Sequence, residues 1–417
     1  MPRIVAHIAQ PPEQIPEVAR EGARLSATKG TIFLLAAMAA VGQFASNVYT
    51  PSLPAMASSL GVTSAEAQIT FAVFLASFAV AQLMYGPITD RYGRRPVLFF
   101  GLGLFLLGTT ACALAPSLEA LIGARIIQAF GAAAGLVVSR AATRDSFDGA
   151  ELAKTLAAVT IAFALVPGLT PLLGGVVQSL GDWRAVFWVT LFAGLVVTLW
   201  SAMKLPETLQ IRSETLGPRA VASTYASIIS DRIFRGYALT TGLVFGAMSA
   251  FFAASPELFI GQLGVGPAEY GLYPPLAVSG FIIGGIVTRR LIGKVSQSQI
   301  AAFGLMIMTT ALLFMMVLPL FGVIHKHAFN ATMILNVTGL GVFVPTAIAS
   351  ALQRFPDRAG AAASVQGFIQ MSGGALGAFA VSLIQPQLPI HAMPLTMLSA
   401  VLLSWIAFAT IGEGKTK

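Results

Sequence analysis

Twelve separate apolar runs, each about as long as a bilayer-crossing helix, leave this chain few folds to choose from. They cover approximately 31–52, 66–88, 96–115, 118–141, 153–178, 184–203, 234–256, 267–289, 298–322, 328–351, 359–383 and 391–412. A helix needs about 20 residues to cross roughly 30 Å of hydrocarbon. Of the 417 residues 56% are hydrophobic and 10% charged, against about a quarter charged in soluble domains. The expected fold class is therefore an all-α integral membrane protein with twelve transmembrane helices in two six-helix bundles.

The charges orient those helices. Of the 25 Lys and Arg residues, 22 fall in the tail, the even-numbered loops and the C-terminus, which all lie on one side; only Arg184 and Lys326 lie opposite, and Arg125 lies within a span. The positive-inside rule then places both termini in the cytoplasm. The net charge of +8 is spent on topology, and no nucleic-acid partner is expected. Expected boundaries are a cytoplasmic tail at 1–30, an N-terminal bundle at 31–203, a cytoplasmic central loop at 204–233, a C-terminal bundle at 234–412 and a cytoplasmic C-terminus at 413–417. The first 30 residues lack an apolar signal-peptide core and read as a retained tail. Cys112 is alone, and His325 and His327 have no Cys or acid nearby in sequence, so neither a disulfide nor a metal or other cofactor is expected.

Three clusters carry the chemistry. In the 2–3 loop, Gly86, Asp90, Arg91, Gly93, Arg94 and Arg95 combine two glycines with an acid four residues before an arginine. Gly86 would let helices approach, and Asp90 would pair with Arg94 or face a helix N-terminus as a latch. A related Gly285–Lys294 segment 199 residues later suggests two parallel halves. In the fourth span, Arg125 and Gln128 share a helix face; a charge inside a membrane is costly and is expected to face a cavity. In the fifth span, Pro167, Gly168, Pro171, Gly174 and Gly175 give a kinked, close-packing surface.

These segments, with Asn47-Val-Tyr-Thr-Pro51-Ser-Leu-Pro54 closing the first span, resemble the motifs of the major facilitator superfamily, and within it the Bcr/CflA drug-efflux group. The resemblance implies a bacterial inner-membrane secondary transporter that exports amphiphilic drugs or toxic metabolites by proton antiport, a multidrug-efflux and antibiotic-resistance activity rather than an enzymatic one. Its partners would be a small amphiphilic substrate, protons and the lipid bilayer, with the chain acting as a monomer. Gln43, Asn47, Arg125, Gln128, Phe245, Phe251 and Phe252 would bind substrate. The chain departs from the group at one position: Asn47 stands where an acid is expected, and no Asp or Glu falls at a midplane. Glu257, near the end of the seventh span, and Arg125 are the remaining proton-coupling candidates. The alternative reading is a dedicated exporter or importer of one natural metabolite, uncoupled from protons.

Overall fold

The computed structural model describes residues 24–209 and 217–411. The expected tail up to residue 23, the loop segment 210–216 and the expected C-terminus lie outside the described residues. Among the described residues are twelve helices long and apolar enough to cross a membrane: α1 Lys29–Leu60, α2 Ser64–Tyr92, α3 Arg94–Ala113, α4 Leu118–Ser146, α5 Gly149–Leu180, α6 Arg184–Lys204, α7 Arg232–Gln262, α8 Pro267–Leu291, α9 Gln297–Phe321, α10 Lys326–Leu352, α11 Ala359–Ile384 and α12 Ala392–Ala409. Hydrocarbon offers the backbone no partners, so runs of this length close their hydrogen bonds within the helix.

Local signals set several boundaries. Thr63 and Glu66 form a reciprocal capping box at the start of α2, and Ser296 and Gln299 form another at α9. Pro51 and Pro54 do not end α1, as the expected span did. A 3₁₀ turn at Thr50–Ser52 absorbs the missing N–H, and the helix resumes to Leu60 before Gly61 stops it in the left-handed conformation. Helix α4 also outruns expectation, ending at Ser146.

The central segment, read from sequence as a polar loop, contains a helix at Pro218–Ser230. Val221, Thr224, Tyr225 and Ile228 are its more buried positions, the i, i+3, i+4, i+7 spacing of an amphipathic face. Tyr225 donates its hydroxyl to the Leu83 carbonyl at 3.2 Å, tying this helix beneath α2. Burial and the Asp90 carboxylate together push the Tyr225 phenol above its usual pKa. Asp231 then caps α7 through the Phe234 N–H at 2.8 Å and accepts from Arg354 at 3.0 Å. Burial alone would raise the Asp231 pKa, but those donors hold its carboxyl below the ordinary value.

The two bundles meet chiefly along two helix pairs, α2 with α11 and α5 with α8, with further contacts of α7 to α1 and α2. One end of the molecule carries the arginine-rich loops and is the basic end below; the other is the far end.

Candidate functional site

A cavity of about 150 Å³ lies between the bundles, walled by α1, α2, α4 and α5 on one side and α7, α8, α10 and α11 on the other. Gln43, Asn47, Phe245, Phe251 and Phe252 line it together, joined by Phe71, Phe163 and Phe281. Apolar walls with a few placed polar groups are the usual makeup of a small-molecule site. Asn47 donates its amide to the Gln43 carbonyl at 2.9 Å and to the Ser46 hydroxyl at 2.7 Å, using both N–H groups. Its oxygen, buried, accepts nothing. The helix thus holds the Asn47 amide with both of its donors used, and the side chain cannot take up a proton.

Arg125 and Gln128 are not in this cavity, contrary to the expectation from sequence. Both are completely buried within the N-terminal bundle. Arg125 donates to the Ala45 carbonyl at 3.1 Å and to Gln128 Oε1 at 2.7 Å, while Gln128 donates to Thr109 at 2.9 Å. The guanidinium lies 4.3 Å from the Tyr49 ring centroid and 4.2 Å from that of Phe74. Two aromatic faces and a carbonyl substitute for water and stabilise the cation. Arg125 therefore clamps α1, α2 and α4 to one another.

Arg140 lines the cavity instead, a residue at the end of the expected fourth span whose charge counts with the basic 4–5 region. Helix α4 places it about 22 Å along its axis from Arg125. Its guanidinium sits 5.8 Å from the Phe163 ring centroid. The side chain is half-buried, and Arg140 also borders a small void leading toward the basic end. The usable signal was the helical continuation through Ala141-Ala142-Thr143 after Arg140, with Phe147 and Asp148 as the break.

At the far end the bundles are bonded together. Ser64 of α2 donates to Glu257 of α7 at 2.6 Å, and Gln68 of α2 donates to Gln385, capping α11, at 2.5 Å. Glu257 is thus part of a contact across the interface and does not line the cavity. The glycines of α5 complete the closure. A methyl group on Gly168 would collide with Val278, and one on Gly175 with the Pro267 carbonyl, both on α8, while one on Gly174 would meet the Val48 carbonyl of α1. Gly271 of α8 returns the contact against the Pro171 carbonyl. Pro167 lines the cavity just below.

At the basic end a second cavity, of about 440 Å³, separates the bundles. Asp90 and Arg94 line it opposite Ala359, Gly360 and Ala361 at the N-terminus of α11. Arg94 pairs with Asp90, and also with Asp145 at 2.9 Å. Glu207 adds a link that the motif did not disclose: its carboxylate accepts the backbone N–H groups of Arg94 at 2.9 Å and Arg95 at 3.0 Å, capping α3. Gly93, with φ of +104°, makes the turn into that cap. Arg91 is exposed over Tyr92. Gly86 does not mark a close helix crossing; a methyl there would meet Ser364 and Tyr225 at an ordinary 3.6 Å.

The Major Facilitator Superfamily family model matches residues 33–378. The chain is 29% identical over 386 residues to multidrug resistance protein D of Escherichia coli (strain K12), covering 91% of this chain and 95% of that protein. It is 27% identical to a bicyclomycin resistance protein homolog of Haemophilus influenzae (strain ATCC 51907 / DSM 11121 / KW20 / Rd), covering 90% and 94%. The crystal structure of a POT family transporter in complex with a thioalcohol-conjugated peptide superposes with a TM-score of 0.75 over 93% of this chain and 98% of that one, at 13% identity. Twelve spanning helices, two bundles and a cavity between them agree with these similarities, and the chain belongs to the major facilitator superfamily of membrane transporters.

Proposed function

We propose that the protein exports amphiphilic drugs or toxic metabolites across the bacterial inner membrane by alternating access, with the basic end in the cytoplasm. The observation that carries the reading is the phenylalanine-lined cavity between the bundles, closed by direct bonds at one end and backed by a second cavity at the other. The basic loops support the orientation, and the resistance proteins among the relatives support the substrate class. Each chain contains a whole cavity, which supports action as a monomer. In this orientation substrate enters from the cytoplasm, binds against Phe251, Phe252 and Asn47, and leaves when the far-end contacts part and the Asp90–Arg94 end closes.

The proton step belongs to Glu257 rather than to the helix-1 position. Asn47 does not titrate, and no carboxylate lines the cavity among the described residues. Glu257 accepts a hydrogen bond from the opposite bundle, so protonating it weakens a charge-assisted contact that holds the far end shut. Substrate uptake into inverted vesicles under an imposed pH gradient tests both parts. Wild type should accumulate amphiphilic substrates, Glu257→Gln should equilibrate them without accumulating, and Phe251→Ala should raise the concentration needed. Accumulation that persists in Glu257→Gln removes Glu257 from coupling; no uptake of any amphiphile by wild type removes export.

A further inference from the structure

We infer that Arg140 is a substrate-recognition residue and that the preferred substrates are amphiphiles bearing an acidic group: carboxylate, sulfonate or phosphate. This rests on the cavity reading above and deepens it. Arg140 contrasts with the paired arginines near the interface, and shares its lack of an ion pair with Arg144 one turn on. Arg94 has two carboxylates and Arg354 has Asp231, whereas among the described residues no carboxylate lies within ion-pairing distance of Arg140. Among the described residues it has no hydrogen-bond acceptor either, and its guanidinium lies over the Phe163 ring face. The nearest charge along its own helix is Arg144, of the same sign. The elements facing it from α2, α5 and α11 present Gln82, Thr160, Gln370 and Ser364, all neutral.

A cation held among apolar walls inside a membrane is expensive unless something pairs with it. The position of Arg140 says what that is. It borders both the phenylalanine cavity and the void toward the basic end, so a ligand whose rings or alkyl body rest against Phe245 and Phe251 would set its acidic group beside the guanidinium. The planar fork can take two oxygens of such a group. Dicationic compounds would meet repulsion at the neck and no acid inside.

Two fluorescent probes of nearly one shape isolate the charge: 1-anilinonaphthalene-8-sulfonate and uncharged N-phenyl-1-naphthylamine. Both would be titrated into purified protein in phosphatidylcholine nanodiscs. Wild type should bind the sulfonate about tenfold tighter, the scale of one charge-assisted hydrogen-bonded contact. Arg140→Gln and Arg140→Met should erase that preference while binding the neutral probe as before, and Arg140→Lys should keep most of it. The ratio of two affinities in one preparation is the readout, so a smaller folded fraction cancels. Equal affinities in wild type, or a sulfonate preference that survives both neutral substitutions, would overturn the assignment. So would loss of sulfonate binding when phosphatidylglycerol is added, since the anion would then be a lipid headgroup. Neutral-probe binding that falls in Phe251→Ala supports the cavity whichever way Arg140 turns out; its absence from wild type defeats the cavity reading itself.

Discussion

The two ends of the interface between the bundles are built from different chemistry. At the far end the contacts are close and nearly uncharged: glycines of α5 against α8 carbonyls, a glutamine pair, and one serine–carboxylate bond. At the basic end the bundles stand apart around a cavity of about 440 Å³, and the charges are paired chiefly within one bundle, Arg94 with Asp90 and Asp145. Close packing of small residues loses all its contact energy over a small separation, which suits a seal with two discrete states. Ion pairs inside one bundle keep that bundle rigid while the other moves past it. The same contrast appears on α4, where Arg125 is enclosed between rings and carbonyls and Arg140, with no carboxylate partner among the described residues, lines the cavity.

The largest effect that would break this contrast is at Gly175. Gly175→Leu places a side chain where the Pro267 carbonyl sits, so the far end should fail to close and transport should be lost while the protein still inserts. Labelling of a cysteine introduced at Ser249, a cavity residue, by a membrane-impermeant reagent on the far side should rise; unchanged labelling with normal transport would remove the seal from the α5 glycines.

Next come the two arginines. Arg125→Leu removes a cation held by two rings and leaves the Ala45 carbonyl and Gln128 oxygen without their donor, a loss of about 3 kcal/mol of stability. Arg140→Leu should cost under about 1 kcal/mol, because nothing is orphaned. Thermal melts in detergent decide, and equal losses would erase the distinction between them.

A smaller effect separates the partners of Arg94. Its side chain is 8% exposed, that of Asp145 22% and that of Asp90 45%. Asp145→Asn should therefore destabilise by about 2 kcal/mol and Asp90→Asn by less than about 1 kcal/mol. If Asp90 is the moving half of a latch, Asp90→Asn should nonetheless lower transport severalfold with little change in melting; a fall in both together would make it merely structural.

The smallest concerns pH. The Asp231 carboxyl is held below its ordinary value in the folded protein, so its contribution is present above the unfolded carboxylate pKa and is lost as pH falls through the folded one. Asp231→Asn keeps the cap but loses the Arg354 ion pair, so it should remove under about 1 kcal/mol near neutral pH and flatten the acid side of the stability profile. Parallel acid limbs for variant and wild type would contradict this.

Legibility followed the range of the forces involved. The capping boxes at Thr63 and Ser296 need only residues three apart, and Asp90 and Arg94 pair across one helical turn, so each was readable locally. Asn47, Gln43 and the phenylalanines of α7 line the cavity because a polar or aromatic residue near a span's midplane has few places to go. Arg125 misled because the same rule, that an intramembrane cation needs a partner, is satisfied equally by water in a cavity or by Tyr49, Phe74 and a carbonyl inside a bundle. Arg140 was hidden because a cation at the end of a span, followed by Arg144, reads as part of a basic loop.

By itself the sequence determined the number of spans and the family, since these depend on hydropathy and on motifs contiguous in the chain. The tertiary structure alone decided which distant polar groups meet: Glu257 with Ser64 and Gln68 with Gln385 across the interface, Glu207 with the start of α3, and Arg140 with no carboxylate partner among the described residues. Those pairings join residues up to 317 positions apart, and their geometry follows from how two bundles pack, which no local pattern encodes.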